Sequence, residues 1–535
     1  MLLANGIIPE EGLIEVGVQR FLLVLSVALA VAALPQIFTW TRRIPYTVLL
    51  VLAGLGLSLV DVHLVDLSPD LIMVIFLPPL LFEAAWNFSW DDLKRDWVPV
   101  SLYAGLGGLI TILGVGASLH WGMGLSVPLG LLVGACLATT DPVSVVALFK
   151  ELGVGRRIRT LIEGESLFND GTAVVAFTLL VGTVQQTGAT SPQGTVFKFL
   201  MVVGIGLAVG ALVGFGVSYL TQRFDLPLLE KSLTLVAAYG SYLLTEELGG
   251  TGVIATVAAG LILGNFGSQV GMSPRTRVIV GELWEFIGFF VNSILFLLIG
   301  DQMKVELLLH NWPLITFTTL AMLLTRLVAV AGLSGVSNRL AGSQIDWRTQ
   351  GILWWGGLRG GVTLSLALSL PSTLPGRDAI VATLFGVVLF TLLVQGLTIQ
   401  PLLHRFGLLG DAPLRQRFLE TAARQVALSR VLQRLCTLQQ RPGIDLSFYA
   451  RQMKRVEQEL HRYQAETTAL LAEHQELRSF AEAQLNAELR AIEVDAYAEF
   501  VRSGLLQGEL QPLLGEAPLE EVTPLDPRPD IRPAA

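Results

Sequence analysis

Apolar residues come in long runs over the first three quarters of the chain. Stretches of about 17 to 25 predominantly apolar residues recur at 21–38, 44–60, 71–88, 98–119, 127–149, 160–183, 196–220, 230–247, 251–266, 280–300, 312–337, 350–371 and 379–404. About 20 such residues suffice for a helix to cross hydrocarbon. The pattern predicts an all-α polytopic membrane protein of about 13 spans over 21–405, preceded by an extracytoplasmic N-terminus over 1–20. Glu10, Glu11 and Glu15 precede the first run and no basic cluster does, so a cleavable leader is not expected.

Past residue 405 the period changes. Apolar positions recur at helical spacing among Glu, Gln and Arg over 412–440 and 446–503, with Arg441-Pro442-Gly443 between them. This predicts a helical hairpin within a cytoplasmic helical domain, 406–515. Residues 516–535 hold five prolines and few large apolar side chains, and are expected to be disordered.

Composition sharpens the division. Of 535 residues, 52% are hydrophobic and 15% charged, and residues 411–535 carry 34 of the 80 charges. Two cysteines, Cys136 and Cys436, exclude a disulfide framework, and the six histidines form no metalloenzyme pattern. A net charge of −8 without long basic runs excludes a nucleic-acid footprint. Fifteen Lys and Arg residues fall in one alternating set of connections, including Arg42, Arg43, Arg156 and Arg157, against four in the other, Arg20, Lys198, Lys304 and Arg377. Positive charge marks the cytoplasmic side, which predicts an external N-terminus and a cytoplasmic tail.

Six charges fall near the middle of spans: Glu83, Asp141, Glu165, Asp170, Arg326 and Arg359. Each costs about 2.5–3.5 kcal/mol at the bilayer centre, so they need partners or a functional cavity. Acids outnumber bases by two, a surplus suited to a cation.

Span 5 contains Thr139-Thr140-Asp141-Pro142. Proline breaks the helix, Asp141 stands at the N-cap of a second half-helix, and the break should free carbonyls near Thr139 and Thr140 as cation ligands. Span 12 contains Gly356-Gly357-Leu358-Arg359-Gly360-Gly361, where four glycines around an arginine favour unwinding. If spans 1–6 and 8–13 are inverted repeats, the two interruptions correspond, which points to a transport site at the repeat interface. In span 6, Ser166 and Asp170 lie one turn apart on one face, with Glu165 and Asn169 on the next stripe. Glu163 sits about 10.5 Å along the helix from Asp170, lining an inner approach or facing solvent.

The stretch 138–170, with Thr140-Asp141-Pro142 and Glu165-Ser166-Leu167-Phe168-Asn169-Asp170, resembles the signature region of the cation:proton antiporter-1 family, which includes NhaP-type antiporters and sodium/proton exchangers. Glu83 in span 3 and the Gly357–Gly361 run of span 12 occur in matching order; the resemblance covers roughly 20–405 and not the tail. It implies exchange of Na⁺, with Li⁺ or K⁺ as alternatives, for H⁺ by alternating access, in a homodimer of the bacterial inner membrane serving pH homeostasis and salt tolerance. It implies that Asp170 binds cation and proton in turn, that Ser166, the Thr140 carbonyl and Glu83 help coordinate the monovalent cation, and that Asp141 and Asn169 structure the site. Glu165 would pair with Arg326, or failing that Arg359. Asn169, where electrogenic relatives carry a second Asp, implies electroneutral 1:1 exchange. Animal members have leucine at the position of Phe168. No cofactor and no enzymatic activity are implied, and the tail's ligand or partner is open.

Two rival readings share some of these features. A cation channel also uses buried acids and carbonyls, but no carbonyl-lined filter is evident. An intramembrane enzyme would need a nucleophile and a base, and no histidine lies at depth.

Overall fold

A computed structural model of the chain describes all residues except 1–9, 38–44, 60–67, 70, 186–191, 224–226, 269, 270, 273, 409–411, 439–445, 503–512 and 514–535. The described residues are helical, joined by short connections, and the chain divides into two units, 1–410 and 411–535.

In the first unit the helices follow the apolar runs: α1 Glu10–Ile37, α2 Tyr46–Leu59, α3 Leu77–Asn87, α4 Trp90–Ser101, α5 Gly108–Met123, α6 Val127–Cys136, α7 Val143–Glu151 and α8 Arg156–Val184. Then come α9 Pro192–Thr221, α10 Pro227–Glu247, α11 Gly252–Ile262, α12 Pro274–Asp301, α13 Val305–His310, α14 Trp312–Ala341, α15 Trp347–Trp355, α16 Gly361–Leu368, α17 Arg377–Phe390 and α18 Gly396–Phe406. Wider π-helical turns, Leu71–Phe76, Leu102–Gly107, Leu263–Gly267 and Thr391–Gln395, lead into α3, join α4 to α5, extend α11 and join α17 to α18. Among the described residues, six helices are long and apolar enough to cross a membrane, among them Trp90–Met123, Arg156–Val184 and Trp312–Ala341.

The first described helix already runs from Glu10, ahead of the apolar run that begins at 21. Leu13, Ile14, Val16 and Val18 continue the apolar register backwards, and single acidic residues at a helix N-terminus are favourable to its dipole rather than disruptive.

Close approach of backbones, enabled by glycine, sets the packing. In membranes small residues at the contact let dispersion and backbone dipoles act at short range. At the α2/α12 crossing a Cβ on Gly54 would lie 2.0 Å from the Leu297 carbonyl oxygen, and one on Gly300 would lie 2.2 Å from that of Val51. The same device joins α5 to α6, where a Cβ on Gly134 would lie 2.5 Å from the Ile112 carbonyl oxygen.

Two spans are broken, at residues 137–142 between α6 and α7 and at 356–360 between α15 and α16. Helix α8 lies against α6 and is tied near its start to α4, through Arg157 to Asp96 at 2.8–2.9 Å and Arg156 to Asp92 at 2.6 Å.

The second unit comprises α19 Ala412–Leu438, α20 Leu446–Glu473 and α21 Gln475–Arg502. Phe418, Leu470 and Leu477 form its small core, with Arg417 paired to Glu466 at 2.9 Å. The long second helix expected over 446–503 is divided at His474, which brings Leu477 onto Phe418 and Leu470. No Gly or Pro marks the place, so periodicity runs through it. The expected turn at 441–443 and the terminal stretch 516–535 lie outside the described residues.

The α2/α12 crossing is open to test. Gly54→Val should destabilise the protein by about 1–3 kcal/mol through overpacking against backbone, read as a lowered unfolding midpoint of the detergent-purified protein; an unchanged midpoint would mean that these helices do not cross there.

Candidate functional site

The site forms where the two broken spans cross. Pro142 cannot donate an N–H to the preceding turn, and α6 ends ahead of it at Cys136. Asp141 accepts from the Val143 N–H at 2.9 Å, which caps the start of α7, and Pro142 already has helical torsions (φ −83°, ψ −19°). The Asp141 N–H reaches across to the Leu358 carbonyl at 2.8 Å, so the two breaks are hydrogen-bonded to each other. Gly360 permits this: a Cβ there would lie 2.3 Å from Asp141 Oδ2.

The carbonyls released by the first break are not left open. Arg359, with no exposed surface, donates through Nη1 to the carbonyls of Ala138, at 3.2 Å, and of Thr139. Asn169 Nδ2 also donates to the Ala138 carbonyl at 3.2 Å and to Thr140 Oγ1 at 2.8 Å. Ser166 donates its hydroxyl to the Thr140 carbonyl, and Thr139 Oγ1 lies 2.7 Å from Thr363 Oγ1 of α16. The expectation of free carbonyls at Thr139 and Thr140 is therefore corrected: a guanidinium and a hydroxyl occupy them, because orphaned acceptors at this depth are too costly to leave.

Asp170 stands one turn beyond Ser166 on α8 and is 5% exposed. Its Oδ1 and the Oδ1 of Asn169 are buried without hydrogen-bond partners. One anionic and one neutral acceptor oxygen are thus left unserved on adjacent residues of α8, next to the break that Ser166 and Asn169 hold through Thr140. This donor set fits a hard monovalent cation, which is served by oxygen ligands.

Glu165 faces the other way. It forms a forked pair with Arg326 of α14, Nη1 to Oε1 at 2.7 Å and Nη2 to Oε2 at 3.1 Å, both side chains 7% exposed. Arg326 also donates to the carbonyls of Trp354 (3.2 Å) and Leu353 (2.9 Å), at the end of α15. Its guanidinium lies against Gly357, where a Cβ would stand 2.2 Å from Nε. Of the two arginines considered for Glu165, the structure pairs Arg326, while Arg359 serves the break.

Glu83, the second acid expected near the cation, has its own partners. Its Oε1 accepts from Asn87 Nδ2 at 2.8 Å and its carboxylate packs on Gly288 of α12. Among the described residues no hydrogen bond joins it to Asp170, Ser166 or Thr140. Glu163 is half-buried two turns before Asp170. The part played by Arg359 as donor to the first break, and by Thr363 as partner of Thr139, was not anticipated from sequence. A mid-span arginine flanked by glycines signals that its side chain reaches away from an unwound stretch, but not toward what.

Interrupted helices crossing beside a buried carboxylate are the architecture of secondary transporters. The chain belongs to the sodium/hydrogen exchanger family, whose transmembrane region matches residues 24–405. It is 52% identical over 507 residues to the Na⁺/H⁺ antiporter ApNhaP of Aphanothece halophytica, covering 95% of this chain and 97% of that protein. It is 47% identical over 511 residues to the low-affinity Na⁺/H⁺ antiporter NhaS1 of Synechocystis sp., with the same coverage. The family match ends at residue 405, as the motifs led one to expect, while alignments of this length to these two relatives run beyond residue 410, so likeness to them extends into the second unit. The solved structure of the sodium proton antiporter MjNhaP1 from Methanocaldococcus jannaschii shares the fold, with a TM-score of 0.59 at 20% identity over 73% of this chain and all of that one.

Removing one member of a buried pair strands the other. Arg326→Gln should cost about 3–5 kcal/mol and the single variant Glu165→Gln a similar amount, whereas the double variant should recover much of the loss. Unfolding midpoints of the four proteins measure this coupling, and strictly additive losses would contradict the pairing.

Proposed function

We propose that this protein exchanges Na⁺ for H⁺ across a bacterial plasma membrane by alternating access, with Asp170 as the group for which the two ions compete. The observation that carries the reading is the pair of unpartnered buried oxygens, Asp170 Oδ1 and Asn169 Oδ1, at the crossing of the two breaks. The relatives, which are named Na⁺/H⁺ antiporters, supply the substrates.

A bare carboxylate in a dry pocket is costly, and either a proton or a cation relieves it, but not both at once. Cation binding needs more ligands than Asp170 supplies. Ser166 can provide one by rotating its hydroxyl hydrogen off the Thr140 carbonyl, which frees that carbonyl and turns a serine lone pair inward. Asn169 keeps Thr140 in place with its amide N–H groups while its carbonyl oxygen is left without a partner and available to the ion. Arg359 holds the neighbouring carbonyls, so the cradle does not collapse when the ion leaves. Glu165 is neutralised by Arg326 and takes no part in ion exchange. Glu83, held by Asn87 and packed on Gly288, serves as a second acid near the cradle, and Glu163 lines the inner approach nearer the predicted cytoplasmic face.

Because Asn169 cannot titrate, one Asp170 carries one charge in each half-cycle, which makes exchange electroneutral at 1:1. The distribution of Lys and Arg supports an external N-terminus and a cytoplasmic second unit.

In everted vesicles lacking other antiporters, Na⁺ addition should release lumenal protons between pH 6 and 9, and Asp170→Asn should abolish this. Ser166→Ala should raise the KM for Na⁺ about tenfold, the value of one ligand to a charged species. Persisting Na⁺-dependent proton movement in folded Asp170→Asn would sink the assignment. In proteoliposomes, a valinomycin-clamped potential of either sign should leave the rate unchanged; acceleration by one sign would refute 1:1 exchange.

A further inference from the structure

The helix formed by α17, the π-helical turn Thr391–Gln395 and α18 carries a polar face that the proposed mechanism leaves unused. Thr391, Gln395 and Thr398 follow at spacings of four and three, one face of a helix. Both ends of that face are fastened to the second broken span. Thr391 Oγ1 accepts from the Arg359 N–H at 3.2 Å, and Thr398 Oγ1 accepts from Trp355 Nε1 at 2.8 Å. Between them, a Cβ on Gly396 would lie 3.8 Å from Leu358 Cδ1. Gln395 therefore sits on the face that looks onto the unwound residues 356–359.

Gln395 has no exposed surface, and neither its Nε2 nor its Oε1 has a hydrogen-bond partner. Arg359 is equally buried, and while its Nη1 holds the Ala138 and Thr139 carbonyls, its Nε and Nη2 have none. A carboxamide with a free acceptor and a guanidinium with two free donors, both sealed from solvent on facing elements, match in chemistry. Buried polar groups are rarely left unserved, and π-turns recur where a side chain is re-aimed for function.

We propose that Gln395 is a positioning residue of the ion site: its Oε1 accepts from the free Nε or Nη2 of Arg359 through one ordered water, and so fixes the guanidinium that holds the Ala138 and Thr139 carbonyls beside Thr140. Slack in the guanidinium passes to the unwound strand, and from there to the ligands of the cation. The charged groups around Arg359 are Asp170, Glu165 and Arg326, with Asp141 packed against the adjacent Gly360. Among them Gln395 is a neutral ligand, able to steer the guanidinium without cancelling its charge.

The inference rests on the antiport reading, and its test separates the two. Full-length protein is assayed in proteoliposomes for Na⁺-driven proton movement and, in detergent, for the rise in unfolding midpoint on Na⁺ addition. Wild type failing both assays would refute antiport itself. With wild type active, Gln395→Leu, similar in size but without polar groups, should raise the KM for Na⁺ about tenfold and weaken stabilisation by Na⁺. Gln395→Glu should move the activity profile to higher pH by about one unit, because a carboxylate beside Arg359 offsets the charge that helps Asp170 release its proton. A purely structural glutamine would change stability without this directional move. Gln395→Asn keeps both polar groups with a shorter reach and should give a smaller rise in KM; it serves if the leucine variant does not fold. Wild-type KM and pH profile in any folded variant among Gln395→Leu and Gln395→Glu, or a wild-type KM in Gln395→Asn where only it folds, overturns the proposal.

Discussion

Unwound backbone at membrane depth must find partners inside the protein, and that constraint organises this site. Water cannot serve the carbonyls of residues 138–140, so three side chains from two spans do: Arg359, Asn169 and Ser166. Together they tie two further elements to the break. Arg359 brings the second broken span, Asn169 and Ser166 bring α8, and the Asp141 N–H closes the arrangement on the Leu358 carbonyl. Once the backbone is satisfied in this way, Asp170 is left as the acidic side chain at the crossing with a buried oxygen unserved.

The charges divide into two kinds that the sequence presents alike. Glu165 and Arg326 cancel in a forked, desolvated pair that also caps the end of α15, a structural solution in which neither charge is available to a substrate. Asp170 has no such partner. A permanent cation on the protein, Arg359, sits one step away on the carbonyls instead of on the carboxylate, which lets Asp170 keep its affinity for an exchangeable ion. Specificity of role therefore comes from geometry: two acids five residues apart on one helix, Glu165 and Asp170, differ by the stripe on which they lie.

Glycine acts at both levels of the structure. At the α2/α12 and α5/α6 crossings it lets backbones touch, and at the site Gly357 and Gly360 make room for a guanidinium and for Asp141 respectively. The clustering of glycines in span 12 has a steric reason at each of these positions as well as a conformational one.

Much of this was written in the chain. Apolar run length determined that the first unit is a bundle of spans, Pro142 and the glycines of 356–361 determined where two of them break, and a four-residue spacing placed Ser166 and Asp170 on one face; each is a local property of backbone and period. The tertiary structure alone decided the partners: that Arg326 rather than Arg359 takes Glu165, that the freed carbonyls are filled by a guanidinium and a hydroxyl, that Glu83 turns to Asn87 and Gly288, and that a helix divides at His474 with no residue marking it. Those choices depend on which side chains meet across spans far apart in sequence, and no period along the chain carries that distance.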